Sequence, residues 1–580
     1  MPMSSTIRST VCGVLVEVLK KHGIRNVFGL PSAQLAILMD AFSRDPFFRY
    51  VTMRHEECAG HAAHGATLIE GEMALCFGTV GPGATNLLPG VAAAWANNIP
   101  MIVVTPNNQL NRIAPDQDLL QAADHLALYE PITKWRAQIR DPERAPSLFE
   151  RAITISRSGR PGPVLIDIPI DVTGLPCTYD LDSIPVLPPP RPVPSRGELA
   201  AALELMHGAR RPLLIAGGGV VRSGAVEAFR EFAKRYPAPA GSSVQGWGTV
   251  DPDSPNAIGS PSWYSGYGFH RACQEADVVL AVGSKFGTWT PIGKVSSPMP
   301  PGQKVIQIDI DDEMLGKNVR ATLGLVGDAR ETLRALAEAI EPSRLAFDER
   351  WIQKMREARR TFVAEIDALA EKALAENGPQ PTPAWVRVLA QLIPDHAIVT
   401  MDGGQSSTWL MSMLRAVCPN RKFDSGMGHM GSAIPLGIGA RVASGYQTPV
   451  FVITGDGSAG LTGQEFETMA RQNIKVVVIV MNDRAWGAYR MIQDQIMQNP
   501  DMGVNLTDVQ FAMVAKGYGC DGERVERVAD LEGAFIRAVA SSKAYVLDVV
   551  TDFAANPMDM PWAQEVAAGA IMAPHSVERV

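Results

Sequence analysis

Short apolar runs alternate with longer amphipathic stretches from one end of the chain to the other. Runs of roughly four to eight apolar residues, bounded by glycine, proline or aspartate, read as buried strands of a parallel sheet. The clearest are 101–105 (MIVVT), 163–169 (PVLIDIP), 212–218 (PLLIAGG), 277–283 (DVVLAVG), 304–310 (KVIQIDI), 449–457 (PVFVITGDG), 475–483 (KVVVIVMND) and 545–550 (YVLDVV). Strands alternating with helical stretches in this way predict an α/β fold. Two proline-rich seams interrupt the pattern. The first, 184–195 (IPVLPPPRPVPS), permits an extended spacer and forbids a helix. The second, 375–385 (AENGPQPTPAW), follows a charged helical run. They divide the chain into three doubly wound parallel-sheet domains, 1–184, 190–345 and 380–555, followed by a tail over 556–580. No internal sequence repeat is evident, yet the outer two domains are open to a shared architecture. The opening, MPMSSTIRSTVCGVLVEVLKKHG, has an apolar run broken by Glu17 and followed by two lysines. It predicts an amphipathic first helix and lacks the unbroken apolar core of a secretion signal.

Composition narrows the function classes. A chain of 580 residues is too long for one hydrophobic core. A net charge of -8 argues against a nucleic-acid binder, which carries a basic patch. The seven cysteines are scattered and never form CxxC, which fits neither a disulfide framework nor a zinc site. Nowhere do about 18 apolar residues run together without a charge, so no membrane span is expected. These features point to a cytoplasmic protein that acts on small molecules.

The most informative segment is 449–487. A buried strand ends at Gly455-Asp456-Gly457-Ser458, a helix follows, and a second strand ends at Asn482-Asp483. With the strands parallel, Asp456 and Asp483 emerge side by side at the carboxyl edge of the sheet, where such folds bind ligands. Mg²⁺ favours one or two carboxylates with phosphate oxygens and water completing its shell. The glycines let backbone N–H groups approach a diphosphate, and the next helix offers its positive end. GDG alone would read as a solvated turn; the second acidic strand end at this spacing argues for a metal–diphosphate site.

This pairing resembles the diphosphate–metal signature of thiamine-diphosphate enzymes. By that resemblance the metal ligands are Asp456, Asp483 and the carbonyl of Ala485, with aspartate at 483 where asparagine is usual. The family also places an activating glutamate in an Arg-His-Glu motif after a first-domain strand. The stretch 48–67 (FRYVTMRHEECAGHAAHGAT) matches it and makes Glu56 the residue that hydrogen-bonds the aminopyrimidine ring, with Glu57 as its neighbouring competitor. GTVGPGATNLLPG (78–90), which contains Asn86, is the other first-domain signature. Gly403, Gly404, Gln405 and Ser406 fall where the family contacts the diphosphate. In GMGHMGSAIPLGIGA (426–440), read as a helix opening, Met430 falls at the bulky position that bends the cofactor into a V, and Gly428 is a further cofactor-binding residue. Trp486 and Gly487 complete the cofactor set.

The resemblance covers nearly the whole chain and is closest to acetolactate synthases and relatives such as benzaldehyde lyase. It implies a homodimer at least, commonly a tetramer, with the site between the first domain of one subunit and the third of another. It implies 2-oxo acid decarboxylation with carboligation; the alternatives are a 2-hydroxyacyl-CoA or benzaldehyde-type lyase acting on an acyloin or aldehyde, and a non-catalytic regulatory paralogue. Gln121 falls at the active-site glutamine position and, with Ala33, Gln34, Tyr489 and Ile492, outlines a substrate pocket. Ile492 replaces the tryptophan of the synthases. Lys285-Phe286-Gly287-Thr288-Trp289 stands where the synthases carry an Arg-Phe-Asp-Asp-Arg run for flavin and substrate. FAD is therefore an open option that these residues do not favour, and the glycine run 217–221 reads as a strand-to-helix turn.

Overall fold

The structure, a computed structural model, describes residues 6–113, 118–259, 266–287, 290, 292, 299–375, 380–419, 421–423, 426–493 and 503–552. The tail and Trp289 lie outside the described residues, as does the side chain of Ile492. The first unit contains β1 (Thr6–Thr10), β2 (Asn26–Gly29), β3 (Arg49–Thr52), β4 (Ala74–Phe77), β5 (Met101–Asn107), β6 (Trp135–Gln138), β7 (Pro163–Pro169) and β8 (Pro176–Asp180). The second contains β9 (Pro212–Ala216), β10 (Ala240–Ser242), β11 (Val278–Val282), β12 (Lys304–Asp309) and β13 (Leu323–Val326). The third contains β14 (Ile398–Met401), β15 (Arg421–Phe423), β16 (Val450–Gly455), β17 (Val477–Asn482), β18 (Asp521–Val525) and β19 (Tyr545–Val550).

Three sheets result, ordered β3-β2-β4-β5-β7-β6, β10-β9-β11-β12-β13 and β15-β14-β16-β17-β19-β18, and every pairing within them is parallel. The first and third orders are the same pattern, so the outer sheets share one architecture despite unlike sequences. In each sheet the winding reverses between a central pair of strands, β2 and β4, β9 and β11, or β14 and β16, and the outer sheets reverse again at their far edge, where β7 and β19 return inside β6 and β18. Such switch points open a crevice at the carboxyl ends of the strands.

The amino terminus departs from the expected single helix. Thr6–Thr10 is extended and pairs antiparallel with β8 in a two-stranded ribbon, Thr6 opposite Asp180. The helix begins only at Val11, with the Thr10 hydroxyl capping Gly13 N. The glycine run at 217 is the strand-to-helix turn expected: Gly217 caps a short helix from Gly218 to Arg222.

The first and third sheets share one core. The Glu56–Glu70 helix, buried along most of its length, lies against the Ala433–Ala443 helix. A Cβ on Gly439 would overlap the Ala62 carbonyl oxygen, and one on Gly65 would overlap that of Leu436. The two backbones therefore meet directly, and apolar side chains from both domains, such as Val103, Ile434 and Val478, form one cluster around them. Among the described residues, no helix is long and apolar enough to cross a membrane.

Candidate active site

The third sheet's switch point is framed by the ends of β14 and β16. Asp402, buried after β14, accepts hydrogen bonds from Ala433 N (2.8 Å), Ser432 Oγ (3.3 Å) and Thr454 Oγ1 (2.5 Å). Burial pushes it up to about 6. It braces the crevice by tying β14 to β16 and to the start of the Ala433–Ala443 helix. Gly404 (φ 125°) and Gly428 (φ 68°) hold conformations that favour glycine. A Cβ on Gly404, Gly428 or Gly455 would meet nothing within 4 Å, so the floor of the crevice is bare backbone. Gln405 opens the Gln405–Met413 helix, and its Nε2 is buried with no hydrogen-bond partner. A buried donor without an acceptor is costly, by about 1–3 kcal/mol, and an anion in the crevice would remove that cost. Ser406 and Ser458 are buried on either side, and Met430 is half-buried, three residues before its helix begins rather than within it.

Asp456 and Asp483 converge as their strand ends require. The two carboxyls are hydrogen-bonded to each other. Ala485 N donates to both, at 3.1 Å to Asp456 Oδ2 and 3.1 Å to Asp483 Oδ1. Burial first, and then the Asp483 charge, push Asp456 up to about 7; Asp483 is raised as well, chiefly by burial. Two buried acids that share a proton form a site in which a divalent cation can replace that proton. The flanking glycines are sterically demanded. A Cβ on Gly457 would come within 2.6 Å of the Trp486 indole, and one on Gly487 within 2.5 Å of Asp483 Oδ2. The 503–506 segment supports this turn through Trp486 N to Val504 O (2.8 Å) and Leu506 N to Arg484 O (2.7 Å). Asn482 turns the other way: its Nδ2 donates to Asp548 Oδ1 and Val509 O, which makes it structural.

The first-domain residues gather at the corresponding crevice. Glu56, 6% exposed, is the first residue of its helix. Asn86 Nδ2 donates to its Oε2 at 3.1 Å, and a Cβ on Gly83 would lie 3.0 Å from its Oε1. Glu57 points elsewhere, with its Oε1 3.6 Å from His429 Nδ1. The local structure thereby separates the two adjacent acids. Gln34 Oε1 accepts from Ser32 and Thr79 hydroxyls, both at 3.1 Å, and Ala33 is exposed beside it. Gln121 takes a left-handed backbone (φ 63°) with its carbonyl against Gly81. Tyr489 is 56% exposed, in the short helix that Trp486 caps. One chain thus presents two clusters, one at the carboxyl edge of each outer sheet.

Two buried networks escaped the sequence reading. Asp167 accepts from Thr105, Asn107, Gln138 and His125 Nδ1, while His125 Nε2 accepts from Gly81 N at 3.2 Å. That bond requires the neutral tautomer with the proton on Nδ1, and it fixes the glycine turn beside Gln121 and Asn86. Glu465 accepts from Arg54 N and His55 N, immediately before Glu56. Asp167 carries a sequence signal, an acid within the apolar run 163–169, whereas Glu465 sits among polar residues and carries none.

Residues 9–128, 199–336 and 402–549 match the N-terminal TPP binding, central and C-terminal TPP binding domains of thiamine pyrophosphate enzymes, respectively. Similar proteins include the probable acetolactate synthase large subunit of Methanocaldococcus jannaschii, 32% identical over 94% of this chain and 93% of that one. The acetolactate synthase large subunit of Parasynechococcus marenigrum is 32% identical over 92% and 86%. The acetolactate synthase isozyme 2 large subunit of Escherichia coli is 30% identical over 93% and 95%. The identity holds from end to end and the two ThDP-binding domain types carry the two crevices: the chain belongs to the acetolactate synthase-like family of thiamine-diphosphate enzymes.

Proposed function

We propose that the protein decarboxylates a 2-oxo acid and joins the remaining fragment to a carbonyl acceptor, using thiamine diphosphate and Mg²⁺. The observation that carries this reading is the convergence of the Asp456 and Asp483 carboxyls on Ala485 N, beside bare glycine backbone and the unpartnered Gln405 Nε2. Asp456, Asp483 and Ala485 would hold the cation. Gly403, Gly404, Gln405, Ser406, Gly455 and Ser458 would receive the diphosphate, and Gly428 and Met430 the bend between its rings. When bound, the coenzyme supplies a carbon nucleophile at its thiazolium C2. Glu56 is the group that exchanges a proton with the aminopyrimidine ring. Asn86 occupies its Oε2 and leaves Oε1, beside Gly83, for that hydrogen bond. Gln121, Ala33 and Gln34 line the substrate side of the first domain, and the Gln121 amide can bind a substrate oxygen without changing charge. The active unit is a dimer or tetramer, and the protein works in the cytoplasm.

Mass spectrometry of products from pyruvate and a panel of 2-oxo acids and aldehydes tests the proposal. The expected result is CO₂ release with a carboligation product, lost in EDTA and restored by Mg²⁺ with thiamine diphosphate. Cleavage of acyloins or 2-hydroxyacyl-CoA without turnover of any 2-oxo acid would instead establish the lyase alternative. Intact geometry at Glu56, Asp456 and Asp483 speaks against a non-catalytic paralogue, which total inactivity over the panel would restore.

A further inference from the structure

The Glu465–Arg471 helix follows directly on the short Asp456–Thr462 helix, which carries Gly457 and Ser458, and its residues grip the loop that carries Glu56. Glu465 is wholly buried. One of its oxygens, Oε1, accepts the backbone N–H groups of Arg54 (3.0 Å) and His55 (3.2 Å); the other accepts Thr468 Oγ1 at 2.6 Å. Further along the helix, Arg471 donates to Thr52 Oγ1 (2.6 Å) and to Thr52 O (2.7 Å), at the end of β3.

The site of attachment matters. His55 is the cap of the Glu56–Glu70 helix, extended at φ -147° and ψ 143°, and its own side chain accepts from Glu57 N at 3.2 Å. Arg54 and His55 therefore set the direction in which the helix starts, and Glu56 is its first residue. A buried carboxylate is costly unless its oxygens are satisfied by donors. Three donors satisfy this one, two of them the amides that precede the activating glutamate. Charge-assisted bonds to backbone amides are short and strong, and well suited to holding a loop in one place.

We propose that Glu465 is a positioning residue: by holding the amides of Arg54 and His55 it aims Glu56 at the aminopyrimidine ring, and so links the diphosphate-binding segment to the activating carboxyl group. This inference rests on the role given to Glu56 above.

The test compares Glu465→Ala, Glu465→Gln, Thr468→Val and Glu56→Gln in the full-length protein. Two quantities are read: amide hydrogen exchange over residues 52–58 in the apoprotein, and the C2 proton-exchange rate of bound thiamine diphosphate. Glu465→Ala should speed amide exchange over 52–58 and slow C2 exchange by roughly tenfold to a hundredfold, the scale expected when a catalytic group is misplaced by about 1 Å. Glu465→Gln keeps an oxygen that can accept both amides and should restore C2 exchange to within about threefold of wild type, since the hydrogen bonds survive without the charge. Thr468→Val, which removes only the hydroxyl that fixes the second oxygen, should give a smaller loss in both readouts and decides the matter should Glu465→Ala not yield soluble protein. Wild-type C2 exchange in Glu465→Ala, or unchanged amide and C2 exchange in Thr468→Val, overturns the inference. If Glu56→Gln alone exchanges C2 normally, the role of Glu56 fails instead.

Discussion

Without a cation, the Asp456–Asp483 pair must keep a proton or carry two negative charges where Asp456 is only 5% exposed. Burial and the neighbouring charge hold Asp456 near 7, well above its ordinary 3.8. The unfolded chain loses this proton near pH 4, whereas the folded apoprotein keeps it until about 7. Folded-state stability therefore falls as pH rises through that window and levels off above it. The cost is on the order of a few kcal/mol. On the proposed role of the pair, Mg²⁺ would remove it by replacing the proton, so the gain in Tm on adding Mg²⁺ and thiamine diphosphate should be larger at pH 8 than at pH 6, by at least a few degrees. Differential scanning fluorimetry at the two pH values measures this, and an equal gain at both would contradict the shared-proton account. Asp483→Asn supplies the internal control. It removes one charge but keeps an oxygen ligand, so the apoprotein should be more stable at pH 8 and the pH dependence should flatten while Mg²⁺ still binds.

Two helices, Glu56–Glu70 and Ala433–Ala443, join the outer domains into one core, and their glycines make the contact possible. Gly439→Ala would drive a methyl group into the Ala62 carbonyl, and neither backbone can yield without opening the seam. The expected loss is about 1–3 kcal/mol or more, read as a lower Tm and lower soluble yield. Gly197→Ala is the matched control: a Cβ there meets nothing within 4 Å in the first turn of a helix, so the change should be neutral or stabilising by up to about 1 kcal/mol. The seam was not legible in the sequence, where both helices appear only as small-residue stretches. The central strands were legible because strands covered on both faces are continuously apolar, and β7, β16 and β17 fall where those runs lie. β1 was lost because a five-residue edge strand has no such run, and its partner β8 lies far along the chain. For the same reason the acid pair could be read from two strand ends in one local unit, whereas the contact of Glu465 with Arg54 spans 411 positions and leaves no local mark. Gln121 was placed by motif, but its left-handed backbone against Gly81 follows from the folded turn alone.

At the scale of the whole molecule, the central sheet's switch point also opens a cavity, of about 450 Å³, lined by Arg160, Arg222, Lys285 and Asp309 among others. In its glycine turn Gly219 abuts Gly283, and the Arg222 guanidinium lies on Gly218 while donating to Asn97 O, Asn98 O and Gln245 Oε1, whereas Gly159 and Gly287 on the cavity wall have open space beside them. The glycine turn at 217–219 is thus filled by the chain's own groups and not open to a dinucleotide, and the purified protein should be colourless; a flavin absorbance spectrum would refute this. The outer domains raise the larger question of which two crevices make one site. If Glu56 serves a coenzyme held by the other subunit's third domain, Glu56→Gln and Asp456→Ala are faults in different halves of the same site. A mixed dimer of the two inactive variants then contains one doubly damaged site and one fully intact site. After mixing, unfolding and reassociation at equal amounts, half of the dimers are mixed and each has one good site of two, so about a quarter of wild-type turnover should return. If each chain completed its own site, every site in the mixture would carry a fault and no activity would return. Co-purification of the untagged variant through an affinity tag carried by the other confirms that exchange took place, and recovery should fall as the mixture is diluted below the dimer dissociation constant, because the restored site exists only while two chains are joined.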